Sequence, residues 1–278
     1  MFLTYRFLTT LIFPFFVVVI FFRKLIKKED AKRYKEKFLL KKIDYDFEEP
    51  VWFHGASIGE IKSIVPILKY LTNKYSKMKI LITSVTLSSG KIIEKEFKDY
   101  ENIHHQYFPL DVPFLTNKFL KIWKPKLVVF IDSEIWPNFL FEIKKKNINL
   151  ILLNARITKK TFSRWKFLKR FSTELFSAFN ICLAASKDSY YNLLGLGATN
   201  VKFIGNLKYF SDKENKIIIN NKLSDQFNNY RVWCAASTHK GEDEICIQAH
   251  KEIKKKYNNV LTIIIPRHIE RINDIYKL

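Results

Sequence analysis

Glu60 has the surroundings in which a carboxylate can do chemistry. It closes the segment HGASIGE (54–60), behind the short apolar run Val51–His54 and a turn of small residues at 55–59. From Glu60 onward Ile61, Ile64, Val65, Ile67, Leu68 and Leu71 recur at helical spacing. The pattern predicts a strand, a tight glycine turn and a helix that opens on a carboxylate. That is the first unit of a doubly wound α/β domain, whose ligands sit beyond the carboxyl ends of the strands. The helix macrodipole alone also favours an acid in the first turn, so position by itself favours a structural role.

Other polar residues fall at expected strand ends. Asp132 and Glu134 follow the apolar strand 127–131; the alternative to a role in a cleft is capping of the helix that starts near Pro137. Asn154 and Arg156 come just past the strand 149–153, where Arg156 serves equally as an ion-pair lock on its loop. Asp111, between Pro109 and Pro113, reads as a loop-shaping residue, and Trp136 as packing. Arg267 and His268 follow the strand 261–265 at the end where ligands bind. Ser237, Thr238 and His239 precede a helix at Glu242, so free backbone N–H groups there can form an anion site. Cys182, Cys234 and Cys246 have no metal-type spacing and, being three, make a poor disulfide framework. They read as free thiols of a reducing compartment. His104 and His105 are adjacent and would point to opposite faces of a strand. No metal and no cofactor is expected.

These residues need elements to hold them. The pattern predicts strands at 79–84, 103–108, 127–131, 149–153, 181–184 and 201–204. Between them it predicts a turn at Ser88, Ser89 and Gly90 with a short helix at 91–97. Further helices are expected at 114–123, from DSEIWPN (132–138) to about Lys146, in one long stretch through Phe176, and at 187–194. Strands alternating with helices indicate a mostly parallel sheet. The segment 209–230, polar and rich in Asn and Lys, reads as an interdomain connection. The opening pattern then returns: 232–268 can be laid against 51–86, both starting Val-Trp and reaching Gly-Glu at a helix start. Two doubly wound domains facing a shared cleft are the physical meaning of such a repeat. The expected organisation is an anchor with a basic collar (1–43), a Rossmann-like domain (44–208), the connection (209–230) and the start of a second Rossmann-like domain (231–278). The last stretch has room for one βαβ unit, whereas a complete domain of this class needs on the order of 100 residues, so it is expected to be unfinished.

With 47% hydrophobic residues the chain can bury a sizeable core. Its formal charge of +21 calls for an anionic partner. The apolar run 7–22, FLTTLIFPFFVVVIFF, is followed at once by Arg23, Lys24, Lys27, Lys28, Lys32 and Arg33. Charges in place of a small-residue cleavage site argue against a removed signal peptide. The run reads as an uncleaved membrane anchor whose basic collar suits anionic lipid and keeps the body on the cytoplasmic side.

Seven segments together resemble the 3-deoxy-D-manno-octulosonic acid (Kdo) transferases of lipopolysaccharide assembly. They are HGASIGE (54–60), YFPLDVP (107–113), DSEIWPN (132–138), NARIT (154–158), GNLK (205–208), ASTHKGE (236–242) and PRHIER (266–271). The resemblance implies a two-domain GT-B fold and transfer of Kdo from CMP-Kdo to the lipid A precursor at the cytoplasmic face of the inner membrane. It implies Glu60 as the base that deprotonates the acceptor hydroxyl, held ionised by the helix dipole. Asp132 and Lys208 match positions that stabilise the transition state, and Arg267 and His268 match CMP contacts. Family members carry Glu where this chain has Asp132, an arm longer by about 1.5 Å. Asn154, Arg156, Ser237, Thr238 and His239 complete the expected substrate-binding set.

The expected partners are therefore CMP-Kdo, the lipid A precursor and anionic inner-membrane lipids. The competing readings are a GT-B transferase with another nucleotide sugar, an inactive remnant with an incomplete donor domain, and a basic module that binds nucleic acid or lipid. No nucleic-acid motif supports the last, and nucleic acid is not an expected partner.

Overall fold

The computed structural model describes residues 1–40, 47–209 and 227–278. Two compact units divide the chain, Met1–Glu214 and Asn215–Leu278. Most of the expected connection at 209–230 lies outside the described residues.

Unit 1 is a parallel seven-stranded sheet in the order β3-β2-β1-β4-β5-β6-β7. The strands are β1 (Val51–His54), β2 (Ile80–Ser84), β3 (Ile103–Tyr107), β4 (Leu127–Ile131), β5 (Asn149–Ala155), β6 (Ile181–Ala184) and β7 (Val201–Phe203). Helices fill the crossovers: α2 (Ile58–Lys74), α3 (Leu87–Glu96), α4 (Pro113–Trp123), α5 (Pro137–Lys145), α6 (Lys159–Phe167), α7 (Lys169–Phe176) and α8 (Lys187–Leu196), preceded by α1 (Phe2–Leu25). The central strands read as unbroken apolar runs because both sheet faces are covered. Trp52, Leu81, Val128, Phe130, Leu150 and Leu152 build the core on one face. Val51, Phe53, Ile80, Ile82, Val129 and Ile131 build it on the other. The strand order reverses between β1 and β4, so the crevice beyond their carboxyl ends is the natural ligand site.

Several boundaries differ from expectation for local reasons. α2 begins at Ile58, not Glu60, because Ser57 caps it by accepting from the Glu60 N–H. Ser88, Ser89 and Gly90 are not a turn but the first turn of α3, where Thr86 and Ser89 form a reciprocal capping box. Gly90 is there for packing: a Cβ would stand 2.5 Å from the Tyr107 hydroxyl. The long helix through Phe176 is two helices, broken at Leu168.

The start of α5 is held by neither Asp132 nor Glu134. Asp111 reaches it instead, its carboxylate accepting from the N–H groups of Asn138 (3.1 Å) and Phe139 (3.0 Å) and from the Tyr5 hydroxyl (2.9 Å). Asp111 thus shapes its loop, as its place between two prolines suggests. His104 packs against Trp123, while His105 lies 2.9 Å from Ser84 Oγ on the other face of β3.

Unit 2 contains β8 (Arg231–Thr238), α9 (Glu242–Lys256) and β9 (Val260–Pro266), followed by the short α10 (Ile272–Ile275). β8 and β9 pair in parallel. The βαβ unit read from the repeat of the opening pattern is present. All three cysteines are free, with Cys182 buried.

Candidate functional site

The crevice at the strand reversal gathers Glu60, Asp132, Glu134, Asn154, Arg156 and Lys208, and backbone geometry explains how. Asp132, directly after β4, sits in the left-handed region at φ 62, and so does Asn154 at φ 55. Asp132 turns the chain out of the sheet and Asn154 marks the register shift of β5 against β6, and short polar side chains tolerate that conformation best. The Asp132 N–H donates to Leu153 O (2.9 Å) and the Arg156 N–H donates to Asp132 O (3.1 Å), which locks the two turns together. Asn154 lies inside β5 and not past its end. Its Oδ1 accepts from the Leu207 N–H at 3.0 Å and so tethers GNLK (205–208) to the site. Lys208 is drawn in with it: a Cβ on Gly59 would stand 3.6 Å from Lys208 Nζ. The ammonium therefore lies beside the first turn of α2.

Glu60 is held at both oxygens. Oε2 accepts from the Ala56 N–H and Oε1 from the Ser57 hydroxyl, each at 2.7 Å. The segment around it is pinned from α3, where Ser89 Oγ donates to Ala56 O at 3.2 Å. These bonds give Glu60 a structural part at the helix start. Burial works against the ionised state that the helix dipole is expected to favour. Burial raises its pKa above the usual carboxylate value, the Ser57 and Ala56 donors oppose the rise, and the charges of Glu134 and Asp132 add to it. A raised carboxylate is a better proton acceptor near neutral pH.

Asp132 is 7% exposed, and burial raises its carboxyl pKa although Lys208 and Arg156 pull it down. Its Oδ1 is buried with no hydrogen-bond partner among the described residues. An orphaned buried acceptor facing a crevice asks for a donor from outside.

His54 was not singled out by its position in the sequence, yet it orients Glu134. Thr83 Oγ1 accepts from the Trp52 indole N–H (2.8 Å) and lies 2.9 Å from His54 Nδ1. On the other side of the ring, His54 Nε2 stands 3.1 Å from Glu134 Oε2. Trp136 Nε1–H donates to the same oxygen at 2.8 Å. Trp136 packs 5.1 Å from Phe108, in keeping with a packing role. An adjacent His and a carboxylate at an i, i+2 distance from Asp132 were the available signals.

In unit 2, Ser237, Thr238 and His239 end β8, and Arg267 and His268 follow β9. The strands are parallel neighbours with Thr238 opposite Pro266, so all five residues share one edge. Ser237 lies in the left-handed region at φ 63, where the ladder shifts register. The expected free N–H groups are only partly there. The His239 N–H is taken by Glu242 Oε2 at 2.7 Å, and α9 opens on Glu242, Asp243 and Glu244. Those carboxylates already satisfy the positive end of the helix. Arg267 and His268 are exposed, whereas Arg271 is drawn inward, donating to Thr238 O (2.8 Å) and pairing with Asp243. Among the described residues no group of His, Cys, Asp or Glu is placed to hold a metal ion.

Residues 29–211 match the family described as 3-deoxy-D-manno-octulosonic-acid transferase (kdotransferase). The chain is 36% identical to the 3-deoxy-D-manno-octulosonic acid transferase of Rickettsia bellii over 98% of its own length and 64% of that protein. It is 30% identical to the enzyme of the same description from Haemophilus influenzae, over 82% of its own length and 54% of that protein. It therefore spans somewhat over half the length of these relatives. A solved structure, UDP-GlcNAc 2-epimerase from Neisseria meningitidis bound to UDP-GlcNAc, superposes with a TM-score of 0.55 at 18% identity, covering 82% of this chain and 67% of that one. This likeness carries the fold alone, the α/β architecture of GT-B type expected from the motifs.

Proposed function

Because the chain belongs to the 3-deoxy-D-manno-octulosonic acid transferase family, we propose that it works as an inverting glycosyltransferase. It moves Kdo from CMP-Kdo to the glucosamine disaccharide of the lipid A precursor at the cytoplasmic face of the inner membrane. The observation that carries this reading is the pairing of Glu60 with the orphaned Asp132 Oδ1 in one crevice. The acceptor hydroxyl gives its proton to Glu60 as its oxygen attacks the anomeric carbon of Kdo. The bond from that carbon to the CMP phosphate breaks, and its electron pair leaves with CMP. Asp132 accepts from a second donor on the sugars and fixes their orientation, work that a buried carboxylate does well because few waters compete. Lys208 and Arg156 supply positive charge beside it and oppose the negative charge that develops as CMP departs. Glu134, gripped by His54 and Trp136, is a rigid wall of the site that raises the basicity of Glu60.

On the second unit Arg267 and His268 take the phosphate of CMP, and Ser237, Thr238 and His239 line the same edge. The lysines and arginines of the N-terminal region hold the protein to anionic lipid. The test is to incubate the 278-residue chain with CMP-Kdo and the tetraacylated lipid A precursor and weigh the lipid by mass spectrometry. A mass increase of one or more Kdo residues is expected. Transfer from a different nucleotide sugar and none from CMP-Kdo overturns the donor assignment.

A further inference from the structure

Helix α1 is apolar enough to cross a membrane, with a mean hydropathy of 2.1 over its best window. Its contacts say that it does something else. One stripe of the helix is docked on unit 1 from end to end. Phe2 stacks on Phe141 at 3.8 Å, Tyr5 donates to buried Asp111, and Arg6 pairs with Glu142 at 2.6 Å. One turn further on, Thr9 Oγ1 accepts from Asn138 Nδ2 at 3.2 Å, and Phe13 meets Phe114 edge-on at 4.9 Å. The far end is tied as well. Arg23 pairs with Glu29 at 2.7 Å, Glu29 takes Lys37 at 2.6 Å, and Lys37 donates to Val85 O in unit 1 at 3.1 Å.

The opposite stripe is neither docked nor polar. Leu3, Phe7, Leu11, Phe15, Val18 and Phe22, spaced by three or four residues, are each more than 60% exposed. A surface helix facing water carries polar residues there. Exposed lysines from elements outside the helix frame it: Lys35 and Lys118 beside Phe13, Val17 and Phe21, and Lys144 and Lys145 at the Phe2 end. An apolar stripe in a basic frame matches an anionic bilayer surface in both polarity and charge.

We propose that α1 lies flat in the headgroup region of an anionic membrane, its Leu3-to-Phe22 stripe in the acyl chains and its other side riveted to unit 1, and does not span. The geometry excludes both at once. A helix of 24 residues is about 36 Å long, and a span of about 30 Å of hydrocarbon would take up nearly all of it. Buried Asp111 would then lose its Tyr5 donor, and buried Glu142 its Arg6 partner. Because the docked stripe runs along the body, a bilayer bound at α1 also brings the lipid surface alongside unit 1, which holds the acceptor crevice.

This inference deepens the membrane reading given above and rests on it. The test places single cysteines by Leu3→Cys, Phe7→Cys, Leu11→Cys, Phe15→Cys, Val18→Cys and Phe22→Cys in a chain whose Cys182, Cys234 and Cys246 have been replaced. Each is labelled with an environment-sensitive fluorophore and titrated with phosphatidylglycerol-rich vesicles carrying depth-graded quenchers. All six labels are expected to shift to the blue on binding and to report one shared, shallow depth. A depth that rises to a maximum near Leu11 and Phe15 and falls again towards both ends means that the helix spans, which overturns the inference and leaves the membrane reading intact. No response to any vesicle overturns both. A blue shift already present without lipid, scaling with protein concentration, assigns the stripe to a second copy of the chain and overturns the inference.

Discussion

Replacing Asp111 tests how the first unit is held together, because its carboxylate joins three segments of the chain. It accepts from the backbone N–H groups of Asn138 and Phe139 and from the Tyr5 hydroxyl, and its own carbonyl takes Asn138 Nδ2 at 2.6 Å. Asp111→Ala leaves two buried backbone donors unpaired, each at about 1–3 kcal/mol, so a loss of roughly 3–5 kcal/mol is expected. Burial pushes the Asp111 carboxyl up to about 6 in spite of these donors. The native state therefore keeps its proton to higher pH than the unfolded chain, whose carboxyl titrates near the ordinary 3.8. The sign follows: the contribution is fully present below about pH 4, falls as pH rises, and is lost through about pH 6. At about 1.4 kcal/mol per unit the whole effect is on the order of 3 kcal/mol. Urea unfolding at half-unit steps from pH 4 to 7, for the wild type and Asp111→Asn, isolates it as the difference between the two curves. Burial raises the Glu60 and Asp132 carboxyls as well, and their contributions cancel in that difference. A difference that stays flat between pH 4 and 6, or an Asp111→Ala loss below about 1 kcal/mol, refutes the reasoning.

Substitutions at three further positions probe the site and its supports. Gly90→Ala forces a Cβ against the Tyr107 hydroxyl and is expected to cost about 1–3 kcal/mol in thermal unfolding, part of it recovered in the double variant with Tyr107→Phe. Asn154→Gly keeps the left-handed turn but frees the Leu207 N–H, so it is expected to slow transfer while lowering stability by only about 1 kcal/mol. Asn154→Ala adds backbone strain and is expected to lose about 1 kcal/mol more in the same unfolding assay. Lys208→Met removes a charge that lowers the Asp132 pKa. It is expected to reduce kcat about 10²–10³-fold and to move the acid limb of the pH–rate profile to higher pH.

The sheet was legible because its central strands are continuous apolar runs, and 127–131 and 181–184 fall where their pattern places them. Glycine misled at position 90, where its missing side chain serves a neighbour from β3 and not a turn, a reason that only tertiary packing supplies. Serine and threonine caps set the starts of α2 and α3 a few residues earlier than the apolar period suggests. At the site, Asp132 and Arg156 were readable as polar residues past strand ends and Glu60 as an acid in a first helical turn, whereas Asn154, expected just past a strand, lies inside β5. That Asn154 reaches across to Leu207, and that His54 aims at Glu134 from 80 residues away, depends on strand order, which periodicity does not encode. Hydropathy gave the apolar character of α1 but not its docked side, because that side is apolar too and is marked only by Tyr5, Arg6 and Thr9.

The central claim is that Glu60 takes the acceptor proton. The direct measurement is kcat for Kdo transfer by Glu60→Gln against wild type across pH 5 to 9, with thermal unfolding of both. Glutamine keeps the bond from the Ala56 N–H through its carbonyl and turns its amide N–H towards the Ser57 oxygen, so the fold is expected to stand while kcat falls by about 10²–10⁴-fold and loses its acid limb. A folded Glu60→Gln protein that transfers Kdo within about threefold of wild type, with the same pH profile, contradicts the account.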